Sequence, residues 1–294
     1  MKIDAVFSGG GLKGYSLIGA CQVLEERGFS FGRLAGTSAG SIMAALIAAG
    51  YNGSEIEQLL LELDAEDFLD ERFGANLPLL KWLFLYKRLG LYKGERLEAW
   101  VAEKLAAKGI VTFSDLPKGT LRIVASDITN GVIVVLPDDL PKYQCDINTF
   151  SIAKAVRMSC GIPYFFEPVS LKCNGRPAYI IDGGVLSNFP LWLFDQENVK
   201  NIRPIIGIKL SGQRDHQPPK QIQNAIEMFT ALFITMKDAH DNRYVSRKHE
   251  KNIIFVPIES ISSTEFNITM EQKLQLIELG RSSANQFLRK WTYK

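Results

Sequence analysis

The stretch VFSGGGLKGYSLIG, residues 6–19, sets a strand-like apolar run against three consecutive glycines and then a helix-period pattern. A strand-to-helix turn of this kind turns backbone amides toward something negative, and the two candidates are a phosphate and a reaction oxyanion. Outward from it, short β-branched runs alternate with longer helical segments, the pattern of a mainly parallel α/β sheet flanked by helices. The spacing predicts strands over 3–7, 31–35, 121–126, 132–136, 179–181, 205–210 and 253–256. Helices are expected over 15–27, 39–49, 95–107, 150–158, 222–246 and 270–291, and Ser54 with Glu57 reads as a capping box opening a further helix to about Leu63.

No internal repeat, low-complexity tract or linker interrupts the 294 residues, so one domain is expected over 1–294. Its motifs lie within about 1–210, followed by a C-terminal helical part from about 211 to 294. With 34 Lys and Arg against 32 Asp and Glu, the formal charge of +2 gives no general pull toward nucleic acid, which excludes it as an expected partner. Four cysteines without CxxC spacing fit a reduced interior, and a start without a secretory signal pattern points to the cytoplasm.

The run Gly9 to Gly14 also satisfies GxGxxG, a pattern that is weak alone. A dinucleotide site asks for an acidic residue near the end of the second strand, and FSFGRLAGTSAG contains none. A P-loop asks for Lys and then Ser or Thr after the last glycine, where Tyr15 and Ser16 stand instead. The second strand ends in Gly36-Thr37-Ser38-Ala39-Gly40, the GxSxG spacing of a nucleophile elbow, in which a sharp turn thrusts a serine hydroxyl out of the backbone. Two glycine-rich turns in adjacent βα units then set amide donors beside a nucleophile, as acyl transfer requires.

A serine nucleophile needs a base. The three histidines, His216, His240 and His249, sit in polar or charge-rich surroundings that read as solvated surface. Asp182 ends an apolar run and is followed by Gly183 and Gly184, at a strand end where sites collect. Its rival Asp127 is explained more simply by a hairpin turn at Asn130-Gly131. A free aspartate, with a pKa of about 3.9, is a feeble base, so desolvation by the apolar run and by Phe165, Phe166, Phe189 and Pro190 must strengthen it. Lys13 reads as a solvated first-turn lysine.

In GGGLKG, GTSAG, SIAKAVRMSCGIPYFFEPV and DGGVLSNFP, in this order over roughly 1–210, the chain resembles the patatin-like phospholipases. The resemblance implies a three-layer α/β/α fold and a lipid acyl hydrolase of phospholipase A or lysophospholipase type, acting through an acyl-serine. It assigns Ser38 as nucleophile, Asp182 of the Asp-Gly-Gly motif (Gly183, Gly184) as its partner, Gly36 and Gly40 to the elbow, and the loop of Gly9, Gly10, Gly11 and Gly14 to the oxyanion hole. It implies no cofactor and no metal. Cys160 and Gly161 depart mildly from the family pattern, and the part after about 210 matches nothing in it.

Residues 77–94, LPLLKWLFLYKRLGLYKG, are apolar but too short and too interrupted to span a bilayer. They read either as a lid or interfacial surface for acyl chains, with peripheral membrane contact through 77–92, or as a buried helix. A catalytically silent lipid-binding or scaffolding module of the same fold is the alternative function. Neither the ester class nor the oligomeric state is written in the sequence.

Overall fold

β1 (Lys2–Phe7) is buried from Ile3 onward, with Ile3, Ala5 and Phe7 on one face and Val6 on the other, as a strand covered on both sides must be. It pairs in parallel with β2 (Ser30–Thr37) on one side and with β9 (Ile205–Lys209) on the other. A computed structural model of the chain describes residues 1–70, 85–195, 203–210, 250–258 and 268–292, with isolated positions between 222 and 236. Within these, β10 (Ile253–Phe255) extends the sheet beyond β9, and β4 (Leu121–Asp127) extends it beyond β2, both in parallel. Direction then reverses: β4 pairs antiparallel with β5 (Val132–Leu136) and β8 (Arg176–Asp182), and β8 pairs antiparallel with β7 (Val169–Cys173). The sheet has eight strands in the order β10-β9-β1-β2-β4-β8-β7, with β5 on β4. A separate parallel ribbon joins β3 (Gly90–Tyr92) to β6 (Tyr164–Phe166).

One face of the sheet carries α1 (Tyr15–Glu26), α2 (Ala39–Ala48), α3 (Gly53–Leu61), α4 (Glu95–Ala106), α5 (Ile152–Ser159) and α6 (Met270–Lys290), whose apolar residues share a core with Phe7 and Ile123. On the other face Val6, Ala35 and Val124 pack against Phe189, Leu191 and Phe194. The helix expected over 222–246 lies largely outside the described residues, as do all three histidines. Among the described residues no helix is long and apolar enough to cross a membrane.

One expectation is corrected. The capping box opening α3 is built by Asn52 and Glu55, two residues before Ser54 and Glu57: Asn52 is extended, its side chain accepts from the amides of Ser54 and Glu55, and Glu55 reaches back to the Asn52 amide. The reading also passed over β3, β6 and β7. For β7 a signal existed, since Asn174-Gly175, at φ 50° and 76°, forms the two-residue hairpin loop that joins it to β8. Asp127 is the turn residue it was expected to be, accepting from the amides of Thr129 and Asn130 at 2.9 and 3.0 Å and from the Tyr143 hydroxyl at 2.9 Å.

Candidate active site

β2 ends at Thr37 and α2 begins at Ala39, which leaves Ser38 in the turn between them at φ 51° and ψ −127°. A non-glycine residue held in such a sparsely populated region costs on the order of 1–3 kcal/mol, so its surroundings must hold it there. The Ser38 amide donates to Ser159 Oγ at 2.9 Å, and the Ser159 hydroxyl donates to the Val124 carbonyl at 2.6 Å. From the other side, the Ser41 hydroxyl and amide donate to the Ser38 carbonyl at 2.6 and 2.7 Å. Gly36 and Gly40 are needed for the crossing itself: a β carbon on Gly36 would strike the Gly40 carbonyl, and one on Gly40 would strike the Phe7 carbonyl.

Asp182 is placed by the same strand that ends beside the elbow. Along one edge of β4, β2 pairs as far as Thr37 opposite Val124, and β8 takes over with Asp182 opposite Ala125. Thr37 and Asp182 thus occupy consecutive rungs of one strand edge, and Ser38 follows Thr37 directly in the turn. Asp182 is 1% exposed, and its Oδ1 accepts from the Gly184 amide at 2.6 Å. Gly183 permits the approach, because a β carbon there would strike the Val124 carbonyl and stand 2.9 Å from Thr37 Cγ2.

The glycine-rich loop presses on the elbow from the β1 side. A β carbon on Gly9 would lie 3.0 Å from Ser38 Cβ, and one on Gly14 would lie 2.9 Å from Ala39 Cβ. The four glycines differ in what they offer. The Gly9 amide donates to the Asn188 carbonyl at 3.0 Å and is thereby committed to the fold. Gly14 lies at the far end of the short helical turn Gly11–Gly14. Gly10 and Gly11 open that turn, where the first amides have no partner inside it. Gly11 carries the loop's positive φ, 57°, whereas Gly10, at φ 176°, is extended backbone.

Ser38 opens onto an apolar cavity of about 120 Å³ whose walls include Gly11, Tyr15, Met43, Leu60, Leu63 and Phe166. Cys160 also lines it, within reach of both site residues. Burial pushes its thiol up to about 12, the negative charge of Asp182 adds to that rise, and hydrogen bonding from Ser41 and Ser38 and the charge of Arg157 oppose it. Cys160 therefore stays a neutral thiol. Behind Phe166, Arg157 is 3% exposed, donates to the carbonyls of Lys93 and Glu167, and lies over the Phe166 ring at 5.1 Å; its desolvation lowers its pKa. Sequence reasoning missed Ser159 and Arg157 as parts of the site, since a serine and an arginine on a helix carry no local mark of their tertiary partners.

Residues 77–84 lie outside the described residues. The remainder of the expected lipid-facing segment is open to solvent at Tyr86, 83% exposed, and at Lys87, Arg88 and Leu89, before β3 joins it to β6 and so to Phe166 in the cavity wall. The described part is thus no buried helix. Among the described residues no three His, Cys, Asp or Glu side chains gather as a metal site requires.

A mainly parallel sheet with a strained serine elbow, a glycine-rich loop and a strand-end aspartate defines a class, and the family model of the patatin-like phospholipases matches residues 5–195. The chain belongs to the patatin-like phospholipase family. It is 54% identical over 294 residues to the uncharacterized protein YqhO of Bacillus subtilis (strain 168), covering 100% of both chains. It is 27% identical over 195 residues to the probable lipid hydrolase 463L of Invertebrate iridescent virus 6, covering 63% of this chain and 61% of the other. Among solved structures, VipD of Legionella pneumophila matches with a TM-score of 0.60 at 18% identity, over 98% of this chain and 67% of that one. The type III effector ExoU of Pseudomonas aeruginosa matches at 0.52 and 17%, over 98% of this chain and 53% of that one. At these identities the likeness is one of fold. Family and fold together support an activity in lipid hydrolysis.

Proposed function

We propose that the protein is a lipid acyl hydrolase of phospholipase A or lysophospholipase type that cleaves carboxylic esters with Ser38 and Asp182 alone. The observation that supports this reading is the exchange of β2 for β8 along β4, in which the buried Asp182 stands one rung from Thr37, the residue before Ser38, while Ser38 itself lines an apolar cavity. Asp182 takes the Ser38 proton as Oγ attacks the ester carbonyl, and the tetrahedral oxyanion accepts from the Gly10 and Gly11 amides. The C–O bond breaks, the alcohol leaves with the proton from Asp182, and the acyl chain stays on Ser38 within the cavity. Water, losing a proton to Asp182, then attacks the acyl-serine and releases the fatty acid with Ser38 reprotonated. The exposed Tyr86 and Leu89 beside Lys87 and Arg88 support peripheral contact with a lipid surface.

Incubating the purified protein with a fluorophosphonate probe and with a panel of phospholipid, lysophospholipid, glyceride and thioester substrates tests the proposal. Labelling confined to Ser38, with turnover of at least one lipid ester, is the expected result. Lipid binding with neither labelling nor turnover would identify a silent lipid-binding module instead.

A further inference from the structure

We infer that Lys273, on the C-terminal helix α6, is a positioning residue that fixes the wall of the Ser38 cavity and so sets its acyl-chain preference. The inference rests on the hydrolase reading above. α3 ends at Leu61; its last turn supplies Leu60 to the cavity wall, and the chain leaving it supplies Leu63 and Phe68. The last carbonyls of a helix have no partner inside it, so this wall is only as firm as whatever caps them.

Two side chains from outside α3 do the capping. The Tyr15 hydroxyl donates to the Leu60 carbonyl at 2.9 Å. Lys273 Nζ donates to the Leu63 carbonyl at 2.7 Å and reaches the Leu61 carbonyl at 3.5 Å, while lying 5.5 Å from the centre of the Tyr15 ring. Tyr15 itself lines the cavity, so the lysine touches two elements of the wall. Lys273 is 8% exposed, and its ammonium donates to carbonyl oxygens at a helix C-terminus, where a cation is favoured.

A brace must be rigid at its base, and α6 is. A β carbon on Gly280 would strike the Ser16 carbonyl of α1, and one on Gly19 of α1 would strike the Ile277 carbonyl of α6, so the two backbones meet without intervening side chains. Arg281 donates to Gln22 Oε1 at 2.9 Å and to Glu26 at 2.8 Å, and Gln22 Nε2 in turn donates to the Gly53 carbonyl at 3.3 Å and Glu57 Oε2 at 2.5 Å. α6 thereby holds the start of α3 through Gln22 and its end through Lys273. Without the lysine, the Leu61 and Leu63 carbonyls lose their donor, while Ser38 keeps its hydrogen bonds to Ser159 and Ser41 and Asp182 keeps its own to Gly184.

The test compares p-nitrophenyl butyrate, octanoate, laurate and palmitate as substrates of the full chain, its Lys273→Met variant and its Lys273→Arg variant. With Lys273→Met, kcat/KM for butyrate is expected to stay within about twofold of the parent, while palmitate falls by about tenfold through KM, because only the longer chain uses the loosened wall. Lys273→Arg, which keeps donors for the same carbonyls, is expected to restore the parent profile. A Lys273→Met profile parallel to the parent's, whether equal to it or uniformly lower, overturns the assignment. Absence of turnover by the parent on every ester contradicts the hydrolase reading instead. The comparison then passes to fatty acids of the same lengths displacing a fluorescent fatty acid, where equal profiles of parent and variant overturn the role of Lys273.

Discussion

Thr37 and Asp182 occupy consecutive rungs on one edge of β4, opposite Val124 and Ala125. A β carbon at residue 183 would intrude between that edge and Thr37. Gly183→Ala is therefore expected to push β8 off β4 at the rung that holds Asp182 opposite Ala125. Overpacking of this kind costs about 1–3 kcal/mol, and turnover is expected to fall by at least about tenfold. Thermal melts and ester kinetics on the purified variant check both, and unchanged kcat would count against the geometry.

For the glycine-rich loop proposed as the oxyanion hole, the expected effects separate neighbouring glycines. Gly11→Val places a β-branched side chain at φ 57°, where L residues are disfavoured, and is expected to shift the amides proposed to receive the oxyanion. Loss of one oxyanion donor is worth about 3 kcal/mol, so kcat is expected to fall roughly a hundredfold with little change in KM. Gly10, being extended, owes nothing to a left-handed conformation. Steady-state kinetics with a short-chain ester read the split, and a change confined to KM would remove the loop from catalysis.

Asp70 has a purely structural role that lends itself to measurement. Its carboxylate accepts from the amides of Gly94, Glu95 and Arg96 at 2.6, 2.7 and 3.2 Å, capping α4 from outside the helix. Asp70→Ala is expected to cost about 2 kcal/mol in chemical denaturation, with turnover of a short-chain ester retained. A stability change under about 0.5 kcal/mol would show that the cap is dispensable.

These cases mark what a reading of the sequence reaches. Gly36, Ser38 and Gly40 were legible because a strained turn restricts composition over five consecutive residues. Asp182 was legible because the glycines its strand end needs follow it directly. Asp70, Ser159 and Lys273 were not, since each acts on backbone groups distant in sequence (Gly94, Ser38 and Leu63), and a lone polar residue carries no sign of so remote a partner. The division of labour among Gly9, Gly10, Gly11 and Gly14 was hidden for the same reason: the Asn188 carbonyl that engages Gly9 comes from beyond β8. In the fold, the buried strands declared themselves by their β-branched apolar runs, even the three-residue β10, whereas β3 and β6 hold no β-branched residue to mark them.

Alkaline pH should weaken the fold. Burial raises Cys160 from the ordinary thiol value of 9.0 to about 12 and Tyr15 from 10.0 to about 12, and Cys21 is raised as well. Each is an acid that the folded chain keeps protonated after the unfolded chain has released its proton. Their stabilising effect is thus fully present below pH 9 and is lost as pH rises from there toward 12, at up to about 1.4 kcal/mol per pH unit for each group. Between pH 9 and 10 the parent is expected to lose about 1 kcal/mol more than Cys160→Ala. Guanidinium titrations at pH 8, 9 and 10 check this, and identical slopes for the two proteins would contradict it.

In the proposed chemistry a serine is served by an aspartate without a histidine. Its most direct measurement is turnover of a short-chain ester by Ser38→Ala, by Asp182→Asn and by a variant with His216, His240 and His249 all changed to Gln. Asp182→Asn is expected to fall to the level of Ser38→Ala, a loss on the order of a thousandfold or more, while the triple-histidine variant keeps most of the parent's activity. Loss of turnover in the triple-histidine variant to the level of Ser38→Ala, in a protein that melts like the parent, would contradict it.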